Sequence, residues 1–265
     1  MPAANTNRKN KIIGVVSGKG GVGKSVVAVN TTAILKRMGR NSIIVDCDLS
    51  NPSTGLHLGL SYGAVGIQEV LQGKNKVSEA VVVQPQTGIR VLPASLKYHP
   101  DVSLKNLKNV LWSMTAYDYI IVDSPPGITS DVEYILETCD EVIVITTPDV
   151  PSSTSAAKVV SLCQDKKTRV RGIVVNRSTG SPFELSNKEI ETMAEVPVIF
   201  SIPEDHLIPE SIAARTPIVL YKGSSPAARV LKEGVGIITG STEPMHAREG
   251  FFGRVWRIFR RVLRR

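Results

Sequence analysis

Cysteine is scarce: the 265 residues hold three, Cys47, Cys139 and Cys163, odd in number, widely separated and with no C-x-x-C among them. That pattern excludes a disulfide framework and speaks against a self-contained zinc or iron–sulfur site, leaving small buried residues as their default role. Long apolar runs are missing too. The longest are five or six residues, which suits strands and falls well short of a bilayer span. The first eleven residues, through Asn10 and Lys11, have no apolar stretch of the kind a secretory signal needs. The expectation is a protein made in the cytoplasm that at most docks peripherally on the cytoplasmic face of the cell membrane. Aromatic residues are few, at 5%. With 42% hydrophobic and 21% charged residues, the chain is long enough for one large core and two short tails.

Positive charge is concentrated in one place. The chain carries a formal +8, and residues 248–265, with seven arginines against Glu249, account for +6 of it. The same segment holds three of the five Phe and one of the two Trp. Phe251, Phe252, Val255, Trp256, Phe259, Val262 and Leu263 recur at helical spacing with the arginines largely between them. A helix here is oily on one side and cationic on the other, the pattern of a segment lying in the plane of an anionic lipid surface. A Thr/Gly/Pro-rich stretch, Thr239 to Pro244, precedes it as a linker. Packing on the body as an ordinary last helix, or contact with nucleic acid, are the competing readings; the near balance of the other 247 residues, at +2, makes a DNA-binding groove the poorer fit.

Elsewhere apolar runs and helical periods alternate. Ile12–Ser17, Asn41–Val45, Arg90–Leu92, Tyr119–Val122, Val142–Thr146, Gly172–Val175 and Val198–Ile202 read as strands. Lys24–Met38, Val102–Met114, Ser130–Leu136, Ser153–Cys163, Lys188–Met193, Ile208–Ala214 and Ala227–Glu233 read as helices, with a short apolar piece at Ile218–Leu220. Strands such as Val142-Ile143-Val144-Ile145 are oily without alternation, as when helices cover both faces of a sheet. The fold class expected is α/β with a mostly parallel central sheet, covered by helices on both faces, and active loops at the carboxyl ends of its strands; with Gly18-Lys19-Gly20-Gly21-Val22-Gly23-Lys24-Ser25 between the first strand and helix, it is that of a single-domain P-loop NTPase. The organisation expected is a flexible tail over 1–11, the P-loop domain over 12–238, a linker over 239–249 and the amphipathic membrane-targeting helix over 250–265.

The strongest motif is Gly18-Lys19-Gly20-Gly21-Val22-Gly23-Lys24-Ser25, a match to G-x-x-x-x-G-K-[ST] between a strand and a helix. Glycines let consecutive N–H groups curl around a phosphate while the helix points its positive end at the anion. Lys24 is expected to reach the β/γ oxygens and Ser25 to ligate Mg²⁺. Tyr119-Ile120-Ile121-Val122-Asp123 has the form of a Walker B strand, with Asp123 the second candidate for the metal. Asp46 and Asp48 end another strand nearby; Asp48 is favoured for orienting the attacking water. Gly127, in Asp123-Ser124-Pro125-Pro126-Gly127, is the natural place for an N–H that senses the γ-phosphate.

These residues resemble a known family. Lys19-Gly20-Gly21-Val22-Gly23-Lys24-Ser25 is similar to the deviant Walker A form K-G-G-x-G-K-[ST] of the MinD/ParA ATPases. Val45-Asp46-Cys47-Asp48-Leu49, Leu56-His57-Leu58-Gly59-Leu60, Val174-Val175-Asn176-Arg177, Ile202-Pro203-Glu204-Asp205, Ser224-Ser225-Pro226-Ala227-Ala228 and the tail look most like the MinD type. The resemblance implies slow, partner-stimulated ATP hydrolysis, a homodimer in the ATP state, and Lys19 reaching the phosphates of the other subunit. It implies that Asn176 and Arg177, with Pro203, Glu204 and Asp205, border the adenine, and that the protein positions a division or polar client complex with an activator or client protein as partner. ATP and Mg²⁺ are the cofactors so implied. One departure stands out: Ser53 occupies a position where MinD proteins often carry Asn. A ParA-like role in DNA partition is the alternative.

Overall fold

The computed structural model describes residues 8–60, 65–97 and 101–239. The segments expected as linker (from 240) and amphipathic helix (250–265) lie outside the described residues. The chain runs β1 (Lys11–Val16), α1 (Lys24–Arg37), β2 (Ser42–Asp46), α2 (Thr54–His57), α3 (Ile67–Leu71), α4 (Val77–Ala80), β3 (Val82–Val83) and β4 (Arg90–Leu92). It continues through α5 (Leu107–Ser113), β5 (Tyr119–Asp123), α6 (Ser130–Thr138), β6 (Glu141–Thr146), α7 (Val150–Asp165), β7 (Arg169–Ser178) and α8 (Asn187–Ala194). It closes with β8 (Val198–Pro203), α9 (Leu207–Ala213), α10 (Ile218–Tyr221) and α11 (Pro226–Thr239).

Eight strands form one sheet in the order β3-β4-β2-β5-β1-β6-β7-β8. Every pairing is parallel except β3 with β4. Because successive side chains point to opposite faces, Ile12 and Val16 of β1 enter one core while Ile13 and Val15 enter the other. Helices α5 to α8 cover the first core and α1, α10 and α11 the second. Burial on both faces is why the central strands read as continuous apolar runs. The single α/β domain expected from the sequence is therefore the fold observed.

Some boundaries differ. Residues 8–11 belong to the folded body, not to a flexible tail: Arg8 pairs with Asp140, Asn10 Nδ2 donates to Met114 O (3.0 Å), and the Lys11 ammonium lies 2.7 Å from the buried Glu141 carboxylate. At the other end Thr239 closes α11 and does not begin the linker; its carbonyl accepts from Lys11 Nζ at 3.2 Å. The helix expected over Val102–Met114 starts late, because Ser103 is extended, Leu104 N–H is held by Asp131 Oδ1 (3.0 Å), and Leu104–Asn106 form a 3₁₀ turn. Helix α7 starts early, since Asp149 caps it by accepting from Ser152 N–H at 2.9 Å. The short α2, α3, α4 and β3 were not anticipated; two to five residues carry too little period to read.

Packing of α11 on β8 is close enough to reverse an ordinary helix rule. Replacing a helical glycine by alanine normally gains about 1 kcal/mol. At Gly234, however, a Cβ would lie 2.5–2.9 Å from the ring of Phe200, itself only 2% exposed. Gly234→Ala should therefore destabilise the domain by about 1–3 kcal/mol through overpacking, read as a lower urea midpoint at unchanged slope; an equal or higher midpoint would show that the ring can move aside.

Candidate functional site

The phosphate loop joins the central strand β1 to α1, so its backbone sits at the carboxyl edge of the sheet, where parallel α/β folds place ligands. Gly21 and Gly23 take φ of 79° and 94°, which favour glycine. Gly18 and Gly23 serve close approach as well. A Cβ on Gly18 would lie 2.2 Å from Ser155 O of α7, and one on Gly23 would lie 2.1 Å from Asn176 Nδ2 at the end of β7. Val22 is buried and its carbonyl accepts from Asn176 Nδ2 at 2.7 Å. The loop is thus clamped by α7 and β7 into one shape. Lys24 opens α1 and is only 8% exposed, whereas Lys19 projects from the loop as an exposed residue.

Two carboxylates stand side by side behind the loop. Asp46 ends β2 and Asp123 ends β5, paired across the ladder, and Val15 of β1 is level with Asp123. Both are buried, at 0% and 1% exposure. Burial raises the pKa of each, and the Asp123 charge raises Asp46 further. For Asp123 the Ser25 hydroxyl, the Lys24 ammonium and the Thr54 hydroxyl oppose the rise. Asp46 spends its carboxylate on the following loop, accepting from the N–H groups of Asp48, Ser53 and Thr54, each at 3.1 Å. Thr54 Oγ1 then donates to Asp123 Oδ2 at 2.9 Å. Ser53 Oγ lies 2.7 Å from Ser25 Oγ, so the residue that departs from the family pattern touches the hydroxyl expected at the metal.

Asp48 lies just outside this buried pair and is partly exposed. Its pKa is raised by partial burial, against the N–H groups of Asn51 and Ser50 and the Lys24 charge. Asp46 is wholly buried and engaged by three amides, whereas Asp48 accepts from Asn51 N–H at 2.9 Å. Gly127 differs from expectation: its N–H donates to Ser17 O at 2.9 Å, so any contact with a phosphate would require that bond to be exchanged. Ser17 Oγ in turn donates to Lys19 O at 2.8 Å, which ties the turn after β5 to the loop.

The corner expected around adenine is assembled from β7 and β8. Asn176 and Arg177 meet Pro203 and Glu204, with Glu204 N–H donating to Ser178 O at 2.9 Å. Arg177, at φ 62°, pairs its Nε with Glu204 Oε2 at 3.0 Å on the surface. The Asp205 carboxylate accepts from Leu207 N–H (3.0 Å) and Ala227 N–H (3.2 Å), capping the starts of α9 and α11, which leaves its backbone groups for the base border that the resemblance implies.

Two buried oxygens in the site have no partner: Asp123 Oδ1 and Asn176 Oδ1. An unsatisfied buried acceptor costs about 1–3 kcal/mol. Each calls for a donor, which metal-bound water at Asp123 and an exocyclic amine at Asn176 would provide. The residues present therefore fit Mg²⁺ and an adenine nucleotide. Thr54 was not singled out from the sequence; only its place eight residues after Asp46 in a Ser/Thr-bearing loop hinted at it.

The ParA family profile, described as NUBPL iron-transfer P-loop NTPase, matches residues 8–238. An uncharacterised ATP-binding protein of Methanocaldococcus jannaschii is 32% identical over 232 residues, covering 86% of this chain and 88% of its own length. The crystal structure of the cell division ATPase MinD of Pyrococcus furiosus superposes with a TM-score of 0.81 at 29% identity, covering 88% of this chain and all of that one. The septum site-determining protein MinD of Pyrococcus horikoshii, complexed with Mg-ADP, gives 0.78 at 27% identity, with 88% and 96% coverage.

The raised carboxyls fix the sign of a stability effect. A carboxyl whose folded pKa is raised stabilises the fold most below its unfolded value, about 3.9, and that contribution is lost as pH rises through the folded value. At neutral pH the pair is thus a net cost. Asp123→Asn should raise the melting temperature of the ligand-free protein by a few degrees at pH 7, with little change at pH 4, while abolishing Mg²⁺-dependent hydrolysis. A lowered melting temperature at pH 7 would show that the Asp123 charge supports the fold.

Proposed function

The chain belongs to the MinD/ParA family of deviant Walker A P-loop ATPases, close to its MinD-type members, and on that premise we propose an ATP-driven, dimer-forming switch that docks on anionic membrane and positions a client complex. It is an ATPase. The observation that carries the reading is the convergence of Lys24, Ser25 and Asp123 behind a clamped phosphate loop, with Asp123 Oδ1 left unpartnered.

In this reading the loop amides Gly20 to Ser25 bind the phosphates, and Lys24 neutralises the β/γ oxygens. Ser25 and Asp123 hold Mg²⁺, which supplies charge neutralisation on the oxygens of the transferred group. Asp48 orients water for in-line attack; its partial desolvation makes it a better acceptor than an exposed carboxylate. Asn176 offers Oδ1 to the adenine amine while its amide braces Val22. Arg177, Pro203 and Glu204 form the outer wall through backbone and stem. Gly127 trades its bond to Ser17 for the γ-phosphate, and the exchange is passed to α6.

Lys19 works in the other subunit. It is exposed at the loop tip, and together with the Thr147 hydroxyl and the Ser152 amide it holds the partly desolvated Asp149 carboxyl below its ordinary value. A second ammonium delivered across an interface would stabilise both the closed dimer and the developing charge. Exposed Ile128 and Val150, 48% and 58% accessible, flank this edge and suit a client or activator. Pairing two tails makes the second lipid contact intramolecular and can raise avidity by about 10²–10⁴. Among the described residues no helix is long and apolar enough to cross a membrane. The iron transfer named in the family description has no support in the cysteines, since Cys47 and Cys163 are fully buried in the apolar core.

Lys19→Ala should retain nucleotide binding, lower hydrolysis at least tenfold, and keep a one-subunit mass in light scattering with Mg·ATP, where the parent doubles. A two-subunit mass for the variant would remove Lys19 from the interface. Deleting residues 250–265 should abolish flotation with anionic vesicles while leaving nucleotide affinity unchanged; retained flotation would contradict the membrane assignment.

A further inference from the structure

The edge of the sheet away from the phosphate loop carries a feature that ATP hydrolysis does not use. Helix α1 leaves the loop at the carboxyl edge and ends at the amino edge in Lys36-Arg37-Met38-Gly39-Arg40. All five residues are exposed, and Met38 is 52% accessible. The turn is rigid: Gly39 N–H donates to Lys36 O and Arg40 N–H to Leu35 O, both at 3.0 Å, with Gly39 at φ 76°. This double bond pattern is a Schellman closure, which fixes the helix end with a left-handed glycine. Among the described residues no carboxylate pairs with Lys36, Arg37 or Arg40. Cations at a helix C-terminus are favourable on their own. That accounts for Lys36 and Arg37, but not for a methionine held out in water beside three unpaired charges.

Its neighbour supplies the reason. Helix α11 starts beside Asp205 at the carboxyl edge and runs to Thr239 at the amino edge, where Lys11 at the head of β1 holds its last carbonyl. Helices α1 and α11 pack together in the same layer. The basic turn therefore lies at the same edge of the same layer as Thr239, the residue from which the chain continues into its arginine- and aromatic-rich segment. We propose that Lys36–Arg40 is a second lipid-contact element: Met38 enters the headgroup region while Lys36, Arg37 and Arg40 meet anionic headgroups, at the same edge of the fold as the root of the tail. This rests on the membrane reading of residues 250–265. Lying opposite the phosphate loop, the turn stays uncovered when two copies pair through their carboxyl edges.

The test uses the full chain with Mg·ATP and vesicles of phosphatidylcholine with or without phosphatidylglycerol. A triple variant K36Q/R37Q/R40Q should weaken binding to phosphatidylglycerol vesicles at least tenfold, as expected for about fivefold per lost cation near an anionic surface, with an unchanged ATPase rate in solution. Met38→Ser should weaken it a few-fold. The same charge loss at exposed Lys74, Lys105 and Lys158, on elements outside the α1/α11 layer, should leave binding within twofold. Unchanged vesicle affinity of the first triple, or equal loss in both, overturns the proposal while the tail assignment stands. Failure of the parent itself to bind vesicles overturns both. Loss of duplex DNA binding with vesicle binding intact would assign the turn to nucleic acid and overturn the lipid role.

Discussion

The hydrogen bond from Thr54 Oγ1 to Asp123 Oδ2 joins the two halves of the site. Asp123 ends β5, which is paired on both sides with β1 and β2; Thr54 opens α2 at the end of the loop that follows β2, whose shape is set by three amide bonds to Asp46. Through this contact the carboxylate proposed to hold Mg²⁺ also holds the first turn of α2. Ser53, bonded to Ser25, makes a parallel link to the phosphate loop. A change at the phosphates thus has a direct mechanical route into residues 48–57. Both buried carboxylates have raised pKa values, so the arrangement is strained toward anything that adds positive charge.

The fold makes that contact possible by bringing β2, β5 and β1 together at the centre of a parallel sheet, with Asp46, Asp123 and the phosphate loop at one edge. Clamping by α7 at Gly18 and by Asn176 at Gly23 keeps the loop in register with them. The opposite edge gathers the first strand's head, the end of α11 and the basic turn of α1. The proposed catalytic site and the proposed lipid contacts therefore lie at opposite ends of the same strands. Helices α1 and α11 span the distance between them, which gives each edge rigid contact with the other.

Much of this is legible in the residues. Oily strands and the phosphate-loop spacing specify a doubly covered parallel sheet, and Tyr119–Val122 leads to Asp123, a carboxylate buried at the carboxyl edge of the sheet behind the phosphate loop. What is hidden follows from chemistry that spacing does not encode. Thr54 acts through one tertiary bond, and α2 is too short to show a period. Asp205 carries a carboxylate in a motif near the base corner, yet its environment turns it into a cap for two helices. Residues 8–11 look like a polar tail because their partners, Asp140, Glu141 and Met114, lie more than a hundred residues away.

The central claim is that nucleotide state is transmitted to the loop after β2 through Thr54 and Asp123. Hydrogen-exchange mass spectrometry of residues 48–60, comparing Mg·ADP with a non-hydrolysable Mg·ATP analogue, tests it directly. The account predicts stronger protection with the triphosphate in the parent and loss of that difference in Thr54→Val, with nucleotide affinity retained. An undiminished difference in Thr54→Val would contradict it.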